Sequence, residues 1–154
     1  MRYLLVGGGA AIAYGATRPT GDLDLIPARD PENLGRLADA MRALDAWLRV
    51  EGRSDQEARA LPVQISGEAL ARIEISTWSS EAGDFDLLAD LPGHGGRRYS
   101  YVELLPRAVE VTIYGIEVRV AALEDIIASK EWADRPKDHV ALPELRDIAA
   151  RRKP

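Results

Sequence analysis

The first part of the chain changes its pattern of apolar and polar positions at short intervals. Residues 2–6 form an apolar run that stops at Gly7-Gly8-Gly9, and helix-favouring residues follow the glycines. Residues 22–26, Asp-Leu-Asp-Leu-Ile, then alternate charged and apolar positions up to Pro27, which is the period of a strand. The pattern predicts a strand, a glycine turn, a helix and a second strand with both aspartates on one face.

The next segment has the three- and four-residue spacing of an amphipathic helix. Asp30-Pro31-Glu32 supplies a capping residue, a proline for the first turn and an acid beside it, and apolar residues then recur as far as Leu48. This spacing predicts a helix of roughly five turns that closes near Gly52. The polar residues 53–59 predict a loop.

Short apolar runs between turn residues fill the middle of the chain and predict strands. The first three predicted strands cover 63–65, 72–77 and 85–88. A glycine-rich turn at 92–96 follows, and residues 109–114 and 116–120 predict a hairpin around Gly115.

Two apolar stripes at helical spacing occupy the end of the chain. One begins at Leu123, and the other runs from Leu142 to Ala149. Residues 134–136 separate the two predicted helices, and Pro143 predicts an interruption of the second.

The order of these elements and the composition indicate one domain, 1–154. The 154 residues, 46% hydrophobic and 29% charged, suffice for a single core and are too few for two ordinary domains. We expect an α/β (α+β) fold in which a short mixed sheet is flanked by helices. Residues 1–121 should form the α/β core, and residues 122–154 a small C-terminal helical part.

Composition also narrows the compartment and the kind of site. The chain has no cysteine, which excludes disulfides and thiolate metal sites and makes the reducing cytoplasm the default location. The apolar opening could be misread as a secretory signal, but three glycines would break its helix, so no leader is expected. No run of about 18 apolar residues occurs, and no membrane span is predicted.

The net charge argues against a broad nucleic-acid surface. At −5, with a pI near 5.1, the chain lacks the basic footprint that dominates non-specific binding to nucleic acids. Its dense basic clusters are Arg97-Arg98 and Arg151-Arg152-Lys153. A nucleic-acid partner would therefore have to be held locally.

Asp22 and Asp24 are the first candidates for chemistry. Carboxylates at positions i and i+2 of a strand project from the same face, roughly 7 Å apart, and can share divalent cations. A strand with one wet face explains the same pattern without chemistry. Aspartate is a poor strand former, however, so two of them in an apolar strand favour a compensating charge.

A further acid in an apolar strand, Asp86, could supply a third ligand from a neighbouring strand. Asp84 and Glu74 are alternatives for that position, and Asp84 also fits a turn after Gly83. Three carboxylates favour Mg²⁺ or Mn²⁺, because hard cations prefer oxygen ligands and keep several waters for substrate phosphates.

The glycine turn at residues 7–9 favours phosphate binding. Glycines let backbone N–H groups approach a phosphate closely, and the following helix directs its positive end to the same place. A dinucleotide fingerprint is the competing interpretation. It would need glycine or alanine where Ile12 stands, and the next strand begins too soon for a normal crossover helix.

These motifs together resemble a known family. Residues 7–25, GGGAAIAYGATRPTGDLDL, resemble the signature of the polymerase-beta-type nucleotidyltransferases, in which a glycine turn and helix precede a strand bearing D-x-D. The spacing of Arg18, Thr20, Asp22 and Asp24 is similar to the branch that includes the abortive-infection (AbiEii-like) toxins. Ser129-Lys130 and residues 135–138 resemble that branch's later motifs, in the same order, so the resemblance covers nearly the whole chain.

The resemblance implies a metal-dependent enzyme that moves a nucleoside monophosphate from a nucleoside triphosphate to an acceptor hydroxyl and releases pyrophosphate. By position, Asp22, Asp24 and Asp86 would hold two Mg²⁺ or Mn²⁺ ions, with Asp86 nearest the acceptor, and Gly7 and Gly8 would hold the triphosphate. Further residues that it implies for nucleotide binding are Arg18, Thr20, Lys130 and Asp138, with Lys130 also in catalysis.

Several alternatives stay open. Lys130 also fits an ordinary helix end, and Asp138 an ordinary first helical turn. The toxin branch implies transfer RNA or another RNA as acceptor and an antitoxin protein as partner, whereas an acidic surface equally suits a small molecule or a protein. An inert relative that only binds nucleotide or a partner is favoured by Gly8, where the family commonly has serine, and by the lack of the family's leading helix before residue 2.

Overall fold

The computed structural model describes residues 1–152 as nine strands and seven α-helices. The strands are β1 Tyr3–Val6, β2 Asp22–Pro27, β3 Trp47–Leu48, β4 Ile75–Ser80, β5 Gly83–Leu88, β6 Asp90–Pro92, β7 Arg98–Ser100, β8 Val109–Ile113 and β9 Ile116–Val120. The helices are α1 Gly7–Ala13, α2 Pro31–Ala43, α3 Asp55–Arg59, α4 Gly67–Leu70, α5 Tyr101–Leu104, α6 Leu123–Ala133 and α7 Pro136–Arg152. Lys153, the last residue of the predicted basic cluster, lies outside the described residues.

Seven of the strands form one mixed sheet in the order β3-β4-β5-β2-β1-β9-β8. The central strand β2 runs antiparallel to β1 and parallel to β5. A parallel pair needs a long connection, and here α2, β3 and β4 are part of it. The mixed sheet flanked by helices that the sequence predicts is confirmed, as is the hairpin formed by β8 and β9.

Helix α2 covers one face of the sheet. Asp30 caps it by accepting a hydrogen bond from the Asn33 amide at 3.1 Å, and Pro31 occupies the first turn, as predicted. Its apolar stripe enters a buried cluster with β4 and β5, which contains Leu34, Leu37, Ala38, Met41, Leu70, Trp78, Phe85 and Leu87.

Helices α6 and α7 pack on the other face. Ile126 of α6 and Leu145 of α7 are buried in one cluster with Ile26 of β2. Since alternate strand residues share a face, Asp22 and Asp24 lie on the same face as Ile26. The packing of these two helices therefore determines what stands opposite the acids.

The helix predicted to begin at Asp30-Pro31 and to close near Gly52 ends earlier, at Ala43. Asp45 has a left-handed backbone, with φ of 48°, and Trp47 and Leu48 then pair with Ser79 and Trp78 of β4. The apolar spacing continues past Ala43 because later apolar residues, Trp47 and Leu48, belong to strand β3.

Four other local predictions were wrong. Residues 53–59 contain α3, which begins with a capping box between Ser54 and Glu57, and are not a loop. Residues 63–65 form no strand, and the strand predicted at 72–77 lies at Ile75–Ser80. Pro143 does not interrupt α7; it lies on an exposed side of the continuous helix, where the carbonyl that loses its intrahelical partner is not enclosed by the core.

Within the described residues, no helix combines the length and apolar character needed to cross a membrane.

Candidate active site

Four aspartates share one face of the two central parallel strands. In the β2–β5 register, Asp22 stands opposite Asp84 and Asp24 opposite Asp86. Alternation places all four side chains on the side of α6 and α7. Strand pairing thus brings together Asp22, Asp24 and Asp86, which the sequence had singled out from two distant segments.

The two alternatives for the third acid do not line the cleft. Asp84 accepts a hydrogen bond from Ser79 Oγ at 2.6 Å and pairs with Arg49 Nη1 at 2.8 Å. Glu74 lies before β4, at the side where its charge acts on Arg98. Among these acids, Asp86 is the one whose side chain faces the cleft.

The acids of the cleft carry unbalanced negative charge. Burial raises the pKa of Asp24, and the charges of Asp22 and Asp86 raise it further, against a long hydrogen bond from the Gly8 amide (3.4 Å) and the charge of Lys137. Asp86 Oδ1 is buried and has no hydrogen-bond partner within residues 1–152. A buried carboxylate oxygen without a partner is costly, so this donor set is suited to a cation.

The chemistry of these donors fits a hard divalent cation, but their side-chain positions do not yet form a metal site. Across residues 1–152, no three acidic or histidine side chains are arranged to hold a metal ion. Asp22 Oδ1 instead accepts a hydrogen bond from Thr20 Oγ1 at 2.9 Å. Metal binding by Asp22, Asp24 and Asp86 stays a prediction.

The glycines stand against the acids with no room for side chains. Gly7 has φ of +61°, and a Cβ there would lie 1.8 Å from Asp24 Oδ2; a Cβ on Gly8 would lie 2.6 Å from Thr20 Oγ1. Both glycines belong to the first turn of α1 and do not precede it as a separate turn, which corrects the predicted start of the helix. Backbone N–H groups therefore reach the row of acids directly.

The opposite wall carries a compact charged cluster from α6 and α7. Asp138 is fully buried and accepts hydrogen bonds from Arg135 Nε at 2.6 Å and Lys130 Nζ at 3.2 Å. Burial raises the pKa of Asp138, but the hydrogen bonds and charges of Arg135 and Lys130 outweigh it, so the pKa lies below its ordinary value. Lys130 and Arg135 line the cleft, whereas Asp138 lies beneath them.

Sequence reasoning assigned no role to two polar residues of α7 that line the cleft. The charge of Lys137 lowers the pKa of Asp24. Glu144 accepts hydrogen bonds from the amide and the hydroxyl of Thr17, both at 2.8 Å, and so ties α7 to the loop before β2. The signal was present, since 137, 141, 144 and 145 follow helical spacing and all line the cleft.

These walls enclose a cleft of about 320 Å³, which is in the range of small-molecule sites. The predicted site residues that line it are Gly7, Gly8, Arg18, Thr20, Asp22, Asp24, Asp86 and Lys130. The cleft thus joins acids and glycine backbone on the strand side to basic side chains on the helix side.

Comparison with known proteins gives a structural match and no sequence match. No protein-family model and no curated protein matches the chain. The lincosamide antibiotic adenylyltransferase LnuA, with lincomycin bound, superposes with a TM-score of 0.59 at 14% identity, covering 96% of this chain and 87% of LnuA. A candidate nucleotidyltransferase from Thermotoga maritima gives 0.51 at 14% identity, covering 98% and 83%. The chain therefore has the fold of these nucleotidyltransferases.

Proposed function

We propose that the protein is a metal-dependent nucleotidyltransferase, which transfers a nucleoside monophosphate from a nucleoside triphosphate to an acceptor hydroxyl and releases pyrophosphate. One observation carries this proposal: three aspartates and the backbone of Gly7 and Gly8 line the same cleft as three basic side chains, those of Lys130, Arg135 and Lys137. Polyphosphates need both cationic groups and backbone donors, and a triphosphate binds together with a divalent cation, for which carboxylates are suitable ligands. The fold shared with an adenylyltransferase supports the same conclusion.

Each side chain has a role in this proposal. Asp22, Asp24 and Asp86 would hold Mg²⁺ or Mn²⁺, which when bound neutralises phosphate charge and promotes ionisation of the acceptor hydroxyl. Thr20 orients Asp22 through its hydroxyl. Gly7 and Gly8 offer backbone N–H groups to the terminal phosphates, and Arg18, Lys130 and Lys137 balance their charge.

The positions of the basic groups support their roles. Lys130 Nζ is held at 3.2 Å from Asp138, so the amine is ordered before a nucleotide arrives. Lys137 is exposed, lines the cleft and forms no ion pair within residues 1–152. A cation without a carboxylate partner at the mouth of an acidic site is suited to an incoming anion.

The deciding experiment uses each α-³²P-labelled nucleoside triphosphate with Mg²⁺ and a cell extract. We expect wild type to transfer label, and Asp24→Ala to transfer none. Asp84→Ala serves as the matched control, since Asp84 shares the face but is paired with Arg49 and Ser79. Label transfer by Asp24→Ala at the wild-type rate would overturn the proposal.

The RNA and antitoxin partners of the toxin branch remain predictions. Of the two basic clusters predicted to hold RNA, Arg97-Arg98 and Arg151-Arg152-Lys153, the first is engaged by carboxylates: Arg97 pairs with Glu103 at 3.3 Å and Arg98 Nε with Asp90 at 2.7 Å. Paired arginines release fewer counterions on RNA and so contribute less affinity. The buried, unpartnered Asp86 Oδ1 argues against a catalytically inert relative. A buried acid that binds no ligand lowers stability and contributes nothing to function.

A further inference from the structure

The face that carries the acids continues into an apolar surface within the same cleft. On β5, Leu88 follows Asp86 on that face, and the β4–β5 register places Ile75 opposite Leu88. Leu91 and Pro92 of β6 complete this surface. These four residues are called the apolar floor. Ile75 keeps 64% of its surface exposed, although it lies in a sheet between two buried clusters.

The order of the strands fixes which part of the reaction the apolar floor faces. Across the sheet the order is β1, β2, β5, β4, so Gly7 after β1, Asp24 on β2, Asp86 on β5 and Ile75 on β4 succeed one another. In phosphoryl transfer the attacking and leaving oxygens lie roughly in line. With the pyrophosphate at Gly7 and Gly8, the acceptor must approach from the side of β5 and β4.

We propose that the acceptor is a small molecule with a hydroxyl group beside an apolar body, and that the apolar floor binds that body. This deepens the proposed function and rests on it. The acceptor oxygen forms a bond to the α-phosphorus, the bond from that phosphorus to the bridging oxygen of pyrophosphate breaks, and the hydroxyl proton is released to solvent. Burial of the apolar body against Ile75 and Leu88 holds the hydroxyl next to Asp86.

The apolar floor is poorly suited to a nucleic-acid acceptor. RNA affinity comes mainly from cations that contact successive phosphates. The apolar floor itself carries no charge. Arg98, which pairs with Pro92 across β6 and β7, is engaged by Asp90. An apolar ligand gains affinity here because binding removes its own apolar surface and that of Ile75 from water.

The first test measures binding of a neutral apolar fluorophore, N-phenyl-1-naphthylamine, and of a non-hydrolysable ATP analogue with Mg²⁺. Ile75→Gln should weaken fluorophore binding about tenfold or more and leave the ATP analogue unaffected. Ile75→Leu, which keeps the apolar surface, should match wild type. The control is Ile116→Gln, since Ile116 on β9 is also 64% exposed and does not line the cleft.

The second test follows α-³²P label from ATP into a cell extract separated into RNA, protein and small-molecule fractions. The label should enter the small-molecule fraction, and Ile75→Gln should lower that labelling about tenfold when the extract is dilute. Label in RNA or protein, unchanged labelling by Ile75→Gln, or weaker binding of the ATP analogue to Ile75→Gln would each overturn the acceptor proposal. Failure of wild type to bind the ATP analogue would instead overturn the proposed function itself.

Discussion

The cleft has two walls, the helix wall from α6 and α7 and the strand wall from β2 and β5. Their charged groups are balanced in opposite ways. On the helix wall, buried Asp138 holds Arg135 and Lys130, and its pKa is lowered. On the strand wall, Asp24 stands beside two other acids, and its pKa is raised. The first cluster is balanced by its own ion pairs, whereas within residues 1–152 the three acids of the second form no ion pair.

This difference distinguishes a structural cluster from a candidate reaction site. A group whose charge is matched by its neighbours stabilises the native state and needs no ligand. A carboxylate in a cleft whose pKa is raised by burial and by neighbouring acids marks a candidate functional site. The strand wall is therefore the candidate ligand site, and the helix wall holds Arg135 and Lys130 in place.

The largest expected effect comes from removing acids on the strand wall. Asp24→Asn or Asp86→Asn should lower kcat/KM by about 10³-fold or more, because the loss of a metal ligand removes several kcal/mol of transition-state stabilisation. Stability should stay equal or rise: Asp24 has a raised pKa, so its ionisation disfavours folding as pH rises between the ordinary and the raised value. Transfer assays and thermal melts measure both quantities. A large loss of stability would contradict the view that these acids repel one another.

The matching change on the helix wall should act on stability. Asp138→Asn should lower the free energy of unfolding by about 3 kcal/mol, since Lys130, whose side chain is 13% exposed, keeps its charge and loses its partner. Because the pKa of Asp138 is lowered, its contribution is complete above the pKa of the unfolded chain and is lost as pH falls through the native value. Urea titrations from neutral to acid pH measure this. Lys130→Met in the same chain should recover part of the loss.

Divalent cations should distinguish the two walls without a substitution. At 10 mM Mg²⁺, a site with a dissociation constant of about 1 mM would stabilise the native state by about 1.4 kcal/mol. A thermal melt would show this as a higher Tm in wild type and in Asp138→Asn, but not in Asp24→Ala. An equal rise in Asp24→Ala would place the ion elsewhere.

The smallest expected effect concerns the link between the walls. Thr17→Val removes the hydroxyl hydrogen bond to Glu144 and leaves the amide one, so the loop that carries Arg18 and Thr20 loses part of its anchorage. Transfer should fall about tenfold or less, because misplacement of a positioning loop costs less than loss of a ligand. Steady-state kinetics should show the change with an unaltered melting temperature. Thr112→Val, on edge strand β8, is the control.

Most of the site residues that the sequence predicts line the cleft, and the structure explains why sequence reasoning could find some residues and not others. Asp22 and Asp24 stand out because charge at period two is unusual in an apolar strand. Asp84 and Asp86 share the same period, so alternation alone does not separate them; sequence reasoning preferred Asp86, because Asp84 also fits a turn after Gly83. Arg49, which engages Asp84, comes from a distant segment that reaches it only through strands β3 and β4.

Prediction of the fold from sequence was limited in the same way, by contacts between distant segments. Strands with a clear pattern, such as β1, β2 and β5, lie where the sequence placed them. Residues 44–48 continue the helical spacing of α2, yet they leave the helix because pairing with β4 gives Trp47 and Leu48 a place in the sheet. Local spacing indicates which residues are buried, and long-range pairing decides in which element.

The parallel pairing of β2 with β5 also has a consequence for folding kinetics. The two strands are separated by a long stretch of chain, so closing that loop is slow relative to formation of the local β1–β2 and β8–β9 pairs. Asp24 and Asp86 become neighbours only at that step. During refolding the helix signal should therefore return first and activity last. Partial unfolding should likewise abolish activity before it abolishes the rest of the structure.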